Sequence, residues 1–279
     1  MRVIEAETLS ETVKKLFIKA NRELPADVRD RIRVCRDRET WPAARETLDR
    51  IIENFEIAEK NRIPICQDTG MACVFLELGA GAVVNGDIGE AVNEGVRRAC
   101  REGYLRASVV ADPLRRGNTG DNSPAVLYVD PVPGEGLGVT VAPKGFGSEN
   151  MSQIRMLSPS DGVEGLKAFV VSTLERAGPN PCPPVVVGVG IGGTFDRAAL
   201  LAKKALLRPL GKAHADPFYA ELEAELLEKI NALGIGPQGF GGRTTALSLA
   251  IEVMPTHIAA LPCAVNINCH VSRHAREEL

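Results

Sequence analysis

From about residue 8 to residue 61 the apolar side chains recur at helical spacing. Leu9, Val13, Leu16, Phe17 and Ala20 share one face, and Leu48, Ile51, Ile52, Phe55 and Ala58 share another further on, with the three- and four-residue steps of amphipathic helices. Thr40 and Pro42 stand where a cap and a first-turn proline belong. The pattern predicts a helical N-terminal region over residues 1–61. It changes after residues 62–70, "RIPICQDTG". The run "MACVFLELG" reads as a strand, Asn85 is placed to cap a helix carrying Ile88, Val92 and Val96, and "AVLYVDPV" and "LGVTVAP" read as strands joined by a Pro/Gly turn. The second half predicts a helix near 162–177, a buried strand "PVVVGVGI", and helices near 195–207 and 216–233. The apolar segments "TALSLAIEV" and "HIAALPCAV" follow. Strands and helices mix without regular βαβ alternation, so the expectation is an α+β fold in one domain over 1–279, the helical region leading into an irregular mixed α/β body.

Composition narrows the function classes. The chain is 44% hydrophobic, enough for a substantial core, and carries a net charge of -3 without a dense Lys/Arg run. Nucleic acid and anionic membrane are therefore not expected partners, and small molecules are. The N-terminus lacks the apolar core of a signal peptide and no apolar run approaches a membrane span, so a cytoplasmic location is expected. Cysteines at 35, 66, 73, 100, 182, 263 and 269 form an odd, scattered set with no CxxC pair. Such a set argues against a disulfide framework, and any metal site has to be assembled from distant segments.

Several local patterns invite chemistry. Gly188, Gly190 and Gly193 form a G-x-G-x-x-G between a strand and a helix, but no acid follows about 20 residues on to hold a ribose. The helix start at Gly192, Gly193 and Thr194 could still receive a carboxylate through its N–H groups. "APKGFGSENMS" and "GPQGFGGRTTAL" lack the GK[ST] ending of a phosphate loop. His257 lies among apolar residues and reads by default as a core histidine; with His270 and His274 it gives H-x12-H-x3-H, no familiar zinc set. Cys182 is pinned between prolines, while Cys35, Cys73, Cys100 and Cys263 sit inside periodic apolar patterns and read as packing.

Taken together, "PICQDTG", "LRASVVADPLRRGNTGDN", "KGFGSENMS", "NPCPPVVVGVGIGGT" and "GPQGFGGRTTALSLAIEVMPTHIAALPCAVNINCHVSRH" resemble the α-type catalytic region of the iron–sulfur hydro-lyases, which include class I fumarate hydratases and L(+)-tartrate dehydratases. The resemblance covers nearly the whole chain from residue 8, in the family's order. It implies that Cys66, Cys182 and Cys269 hold a [4Fe–4S] cluster with one open iron, a Lewis acid toward a substrate hydroxyl and carboxylate. It further implies that Gln67 hydrogen-bonds the Cys66 ligand and contacts substrate, that Asp68 is the base for the proton next to the leaving hydroxyl, and that Arg106, the Gly147 backbone and His257 bind substrate.

Single-chain members of the family continue into a second domain after the last cysteine, whereas Leu279 stands ten residues beyond Cys269. The resemblance therefore implies the α subunit of a two-chain enzyme completed by a separate β subunit, with homo-association of the catalytic units. The activity expected is reversible hydration of fumarate to L-malate. The rival within the family is the L(+)-tartrate dehydratase α subunit, and the rival of another class is an electron-transfer protein with a fourth cluster ligand.

Overall fold

The computed structural model describes every residue from Met1 to Leu279. With 43% helix, 25% strand, mixed sheets and no barrel, the fold is α+β, as the pattern predicts. The N-terminal region comprises a short strand β1 (Arg2–Glu5) and helices α1 (Ala6–Arg22), α2 (Ala26–Arg38) and α3 (Pro42–Asn61). Along the chain follow β2 (Met71–Gly79), β3 (Ala82–Asn85), α4 (Ile88–Gly103), β4 (Val126–Val132), β5 (Leu137–Lys144), α5 (Phe146–Glu149) and β6 (Gln153–Leu157). Then come α6 (Gly162–Ala177), β7 (Val185–Gly193), α7 (Phe195–Ala205), α8 (Pro217–Ala232), β8 (Ala246–Thr256), β9 (Leu261–Asn268) and β10 (Ala275–Glu278). No helix is long and apolar enough to cross a membrane.

Pro42 opens α3, and in the turn before it the buried Glu39 accepts from the N–H groups of Thr40 and Trp41 through Oε1 and from Arg243 N through Oε2. A carboxylate with two oxygens can serve three donors where one hydroxyl cannot. At α4 the cap is Asp87, which accepts from Glu90 N at 2.9 Å. Asn85 closes β3 instead and donates to Glu5 Oε2.

The chain gathers into two compact units. The first holds Met1–Pro25, Asn54–Phe146 and Arg273–Leu279; the second holds Ala26–Glu53 and Gly147–Ser272. In the first, the main sheet has the order β10–β5–β2–β4, β2 running parallel to β4 and antiparallel to β5. The turn between β4 and β5 therefore joins strands that never pair. The strongly apolar β2 lies between them, where both its edges are bonded and its faces buried. Against this sheet pack Leu9, Val13 and Phe17 of α1 and Val92 and Val96 of α4.

In the second unit the order is β6–β9–β7–β8, with β7 parallel to β8 and antiparallel to β9. One face of the sheet packs against α6 and α8, Phe169, Val170, Leu226 and Ile230 among the residues that cover it. The glycine pattern of β7 is explained here by packing. A methyl group at Gly188 would fall 2.1 Å from Ala202 O, and one at Gly190 would fall 2.1 Å from Ala198 O, so α7 rests directly on the strand. Asp196 fills the start of α7: it accepts from Thr194 Oγ1 at 2.6 Å, and that bond, with backbone N–H groups at 196 and 197, lowers its carboxyl pKa.

This contact makes Gly190 intolerant of growth. Gly190→Ala is expected to cost about 1–3 kcal/mol through overpacking, whereas Gly117→Ala, with nothing within 4 Å, should stay within about 0.5 kcal/mol of the parent. Chemical denaturation of both variants checks this; equal midpoints would contradict the packing role.

Candidate functional site

In the first unit the segment after α3 turns sharply before entering β2. Asp68 sits at the turn, its Oδ1 accepting from Gly70 N at 2.9 Å and Ser108 Oγ at 3.5 Å, its Oδ2 from Phe146 N at 3.0 Å. Gly70 has φ +73, which releases the chain from the turn into β2. All of these partners donate, so both carboxyl oxygens work as acceptors. Beside it, Cys66 Sγ donates to Gln67 Oε1 at 3.1 Å and accepts from Asp68 N at 3.5 Å. A thiolate at this position would keep the backbone donor, which suits a metal ligand.

A second loop is tied to this turn. Thr69 Oγ1 accepts from Arg106 N at 2.9 Å, and Asn122, wholly buried at φ +64, accepts from Ser108 N at 2.7 Å and donates to Gly70 O at 3.1 Å. The Arg106 backbone is thereby fixed while its guanidinium is exposed and bonded to no other side chain. Arg273, buried, donates through Nη2 to Asp68 O and to Thr69 O.

In the second unit Cys182 and Cys269 meet at one end of the sheet. The pairing of Val186 with Asn268 brings the β7 approach beside the β9 exit. His270 N donates to Cys182 O at 3.3 Å, and His270 Nδ1 to the same oxygen at 3.0 Å. Gln238 steadies the loop, its N and Nε2 each 2.8 Å from Pro183 O. Gly147 joins this end: a side chain built there would reach only Asn180 O, at 4.0 Å. The motif that follows it is a clamp. Glu149 accepts from Asn266 Nδ2 and Lys203 Nζ, both at 2.7 Å, and Ser152 Oγ accepts from Ile267 N at 3.1 Å.

His257 is elsewhere. It is exposed rather than a core side chain, in the turn between β8 and β9, with Nδ1 accepting from Ala259 N at 3.2 Å. The register pairs Gly193 with Thr256 at that end and Val186 with Asn268 at the other, a separation of roughly 23 Å along the strand at ~3.3 Å per residue. It borders a mostly apolar cavity of about 380 Å³ with Leu166, Ile191, Phe218 and Leu261.

Within the units, then, Cys66, Gln67, Asp68 and Arg106 share one neighbourhood, and Cys182, Cys269 and Gly147 another. No group of three or more His, Cys, Asp or Glu side chains is gathered as a metal site. The donor chemistry nevertheless separates the cysteines. Burial pushes Cys263 up to about 12 and, with Asp121 nearby, Cys100 up to about 11; desolvation also raises Cys35. Cys182 is exposed, and Cys66 and Cys269 are half-buried. Since the thiolate is both nucleophile and ligand, iodoacetamide at pH 8 should label Cys182 in the folded, cluster-free chain and leave Cys100 and Cys263 unlabelled until denaturation. Peptide mass spectrometry reads the order, and early labelling of Cys263 would contradict it.

Sequence reading missed Asn122, Arg273, His270 and Gln238 as site-building residues. Their only signal was membership of the long polar motifs that carry the resemblance. Comparison with known proteins supplies the class: the model for "Fumarate hydratase (Fumerase)" matches residues 10–278. The chain belongs to this family and is a hydro-lyase. Among its relatives, the Methanocaldococcus jannaschii protein named "Putative L(+)-tartrate dehydratase subunit alpha" is 46% identical over 276 residues, covering 96% of each chain. The L(+)-tartrate dehydratase subunit alpha of Escherichia coli K12 is 33% identical over 269 residues, covering 95% of this chain and 88% of its own.

Proposed function

We propose that the chain is the α subunit of an iron–sulfur hydro-lyase that reversibly hydrates fumarate to L-malate, with a separate β subunit completing the active site. The observation that carries the reading is the Asp68 turn: a carboxylate held by three donors, two positions after Cys66, on a loop bonded to that of Arg106, whose guanidinium is exposed. Cys66, Cys182 and Cys269 would hold a [4Fe–4S] cluster; their accessibility and hydrogen-bonded settings suit ligands, and the remaining cysteines are drawn into apolar packing or desolvated. When bound, the cluster supplies a Lewis-acidic iron for the substrate hydroxyl.

The chain's own residues have distinct tasks. Arg106 pairs with a substrate carboxylate through its planar fork, fixing the diacid and stabilising charge that spreads onto it when the neighbouring carbon loses a proton. Asp68 takes that proton in dehydration and returns it in hydration; the C–O bond breaks with its electron pair on oxygen, and the departing hydroxide together with the proton taken by Asp68 makes up the water released. Gln67 orients the Cys66 sulfur, and the open backbone at Gly147 offers N–H contacts to carboxylate.

A second reading, L(+)-tartrate to oxaloacetate, is favoured by the names of the relatives at 46% and 33% identity. The two substrates differ by one hydroxyl, and a pocket built to bond it can discriminate by orders of magnitude. Assay of the reconstituted α/β pair on both substrates decides: higher kcat/KM on malate is expected, and preference for tartrate overturns it. The α chain alone should turn over neither. Cys66→Ser, Cys182→Ser and Cys269→Ser should each lower bound iron and sulfide, while Cys73→Ser, at a buried position of β2, should not; equal iron in all four would refute the ligand assignment.

A further inference from the structure

We propose that Arg273 is a positioning residue for Asp68, which it holds through the backbone rather than the carboxyl; this role rests on the reading of Asp68 as the base. Successive carbonyls of an extended chain point to opposite sides. Here the carbonyls of Asp68 and Thr69 converge on one nitrogen, Nη2 of Arg273. Such convergence occurs only where the chain is turned, and the turn continues through the Gly70 N to Asp68 Oδ1 bond and the positive φ of Gly70. The guanidinium thus fixes the peptide planes from which the Asp68 side chain departs. Ser108 and Phe146 then set the carboxyl itself from outside.

Arg273 is itself firmly placed. It is 4% exposed and stands two residues before β10, whose Ala275 pairs with Val141 of β5. The gain from arginine is direction: its bonds lie in one plane, whereas a lysine ammonium is a compact, freely rotating point charge.

The test uses the cluster-loaded α/β enzyme. Arg273→Lys is expected to keep bound iron and KM within about threefold of the parent and to lower kcat about 10- to 100-fold, the scale of a small misplacement of a catalytic group. Amide exchange of the 66–70 segment, read by mass spectrometry, should quicken. In an Asp68→Asn background the same substitution should change residual turnover less than twofold, because a residue acting only through Asp68 has nothing left to position. Arg276→Lys, on the exposed side of β10, serves as control with kcat unchanged. Should Arg273→Lys fail to fold, Arg273→Gln is read on the same axes. Unchanged kcat and exchange, or an equal loss in both backgrounds, overturns the proposal while leaving Asp68 as base. Full activity of Asp68→Asn alone overturns the base assignment and this role with it.

Discussion

Backbone N–H and C=O groups buried at the ends of strands must find partners, and in this protein side chains supply them. A strand interior is satisfied by its neighbours, but the loops leaving it are not, and a buried orphan costs about 1–3 kcal/mol. Asn122 and Arg273 serve the loops around β2, and Glu149 with Ser152 serves β9. Asn231 does the same before β8, accepting from Thr245 N and Ala246 N. Every loop carrying a candidate site residue at the cysteine end of either sheet is tied down in this way. Polar side chains that are conformationally costly to bury are thus what make these loops rigid enough to present chemistry.

The same burial sorts the cysteines. Strands and helices with continuous apolar faces bury Cys73, Cys100 and Cys263, and burial raises the thiol pKa of the last two. Cys182 and Cys269 lie beyond the strand ends, and Cys66 lies between a helix end and a strand. A single residue type thereby plays two physical roles according to whether the local period continues through it.

Elements with a strong period were legible: β2, β7, α6 and α8 fall close to where their apolar runs place them. Pairing was not, because alternation encodes which side chains face inward and not which strand lies alongside; β4 and β5 look like a hairpin in sequence and are separated by β2. Short edge strands β1, β3, β6 and β10 carry too few residues to show a period. The glycine pattern of β7 has the spacing of a dinucleotide loop, yet the space it frees is filled by α7. Candidate site residues such as Cys66, Asp68 and Arg106 stand out only through long motifs. Arg273 escaped because its partner lies 205 positions away and is a carbonyl, which every residue possesses.

His257 shows why adjacency in such a motif is a poor guide to adjacency in space. It precedes Cys269 by a dozen positions, a distance that a helix would compress to a few turns. Instead β9 intervenes, paired with β7 from Cys263 to Asn268, and an extended strand converts those positions into nearly the whole height of the sheet. Residues flanking a strand belong to opposite ends of it, so the stretch "PTHIAALPCAVNINC" spans two surfaces. The cysteine end has polar clamps and open backbone, whereas the His257 end has an apolar cavity edged by Phe218 and Leu261. Within the second unit, the Cys182–Cys269 end and the apolar recess are thus held apart by the length of one buried strand.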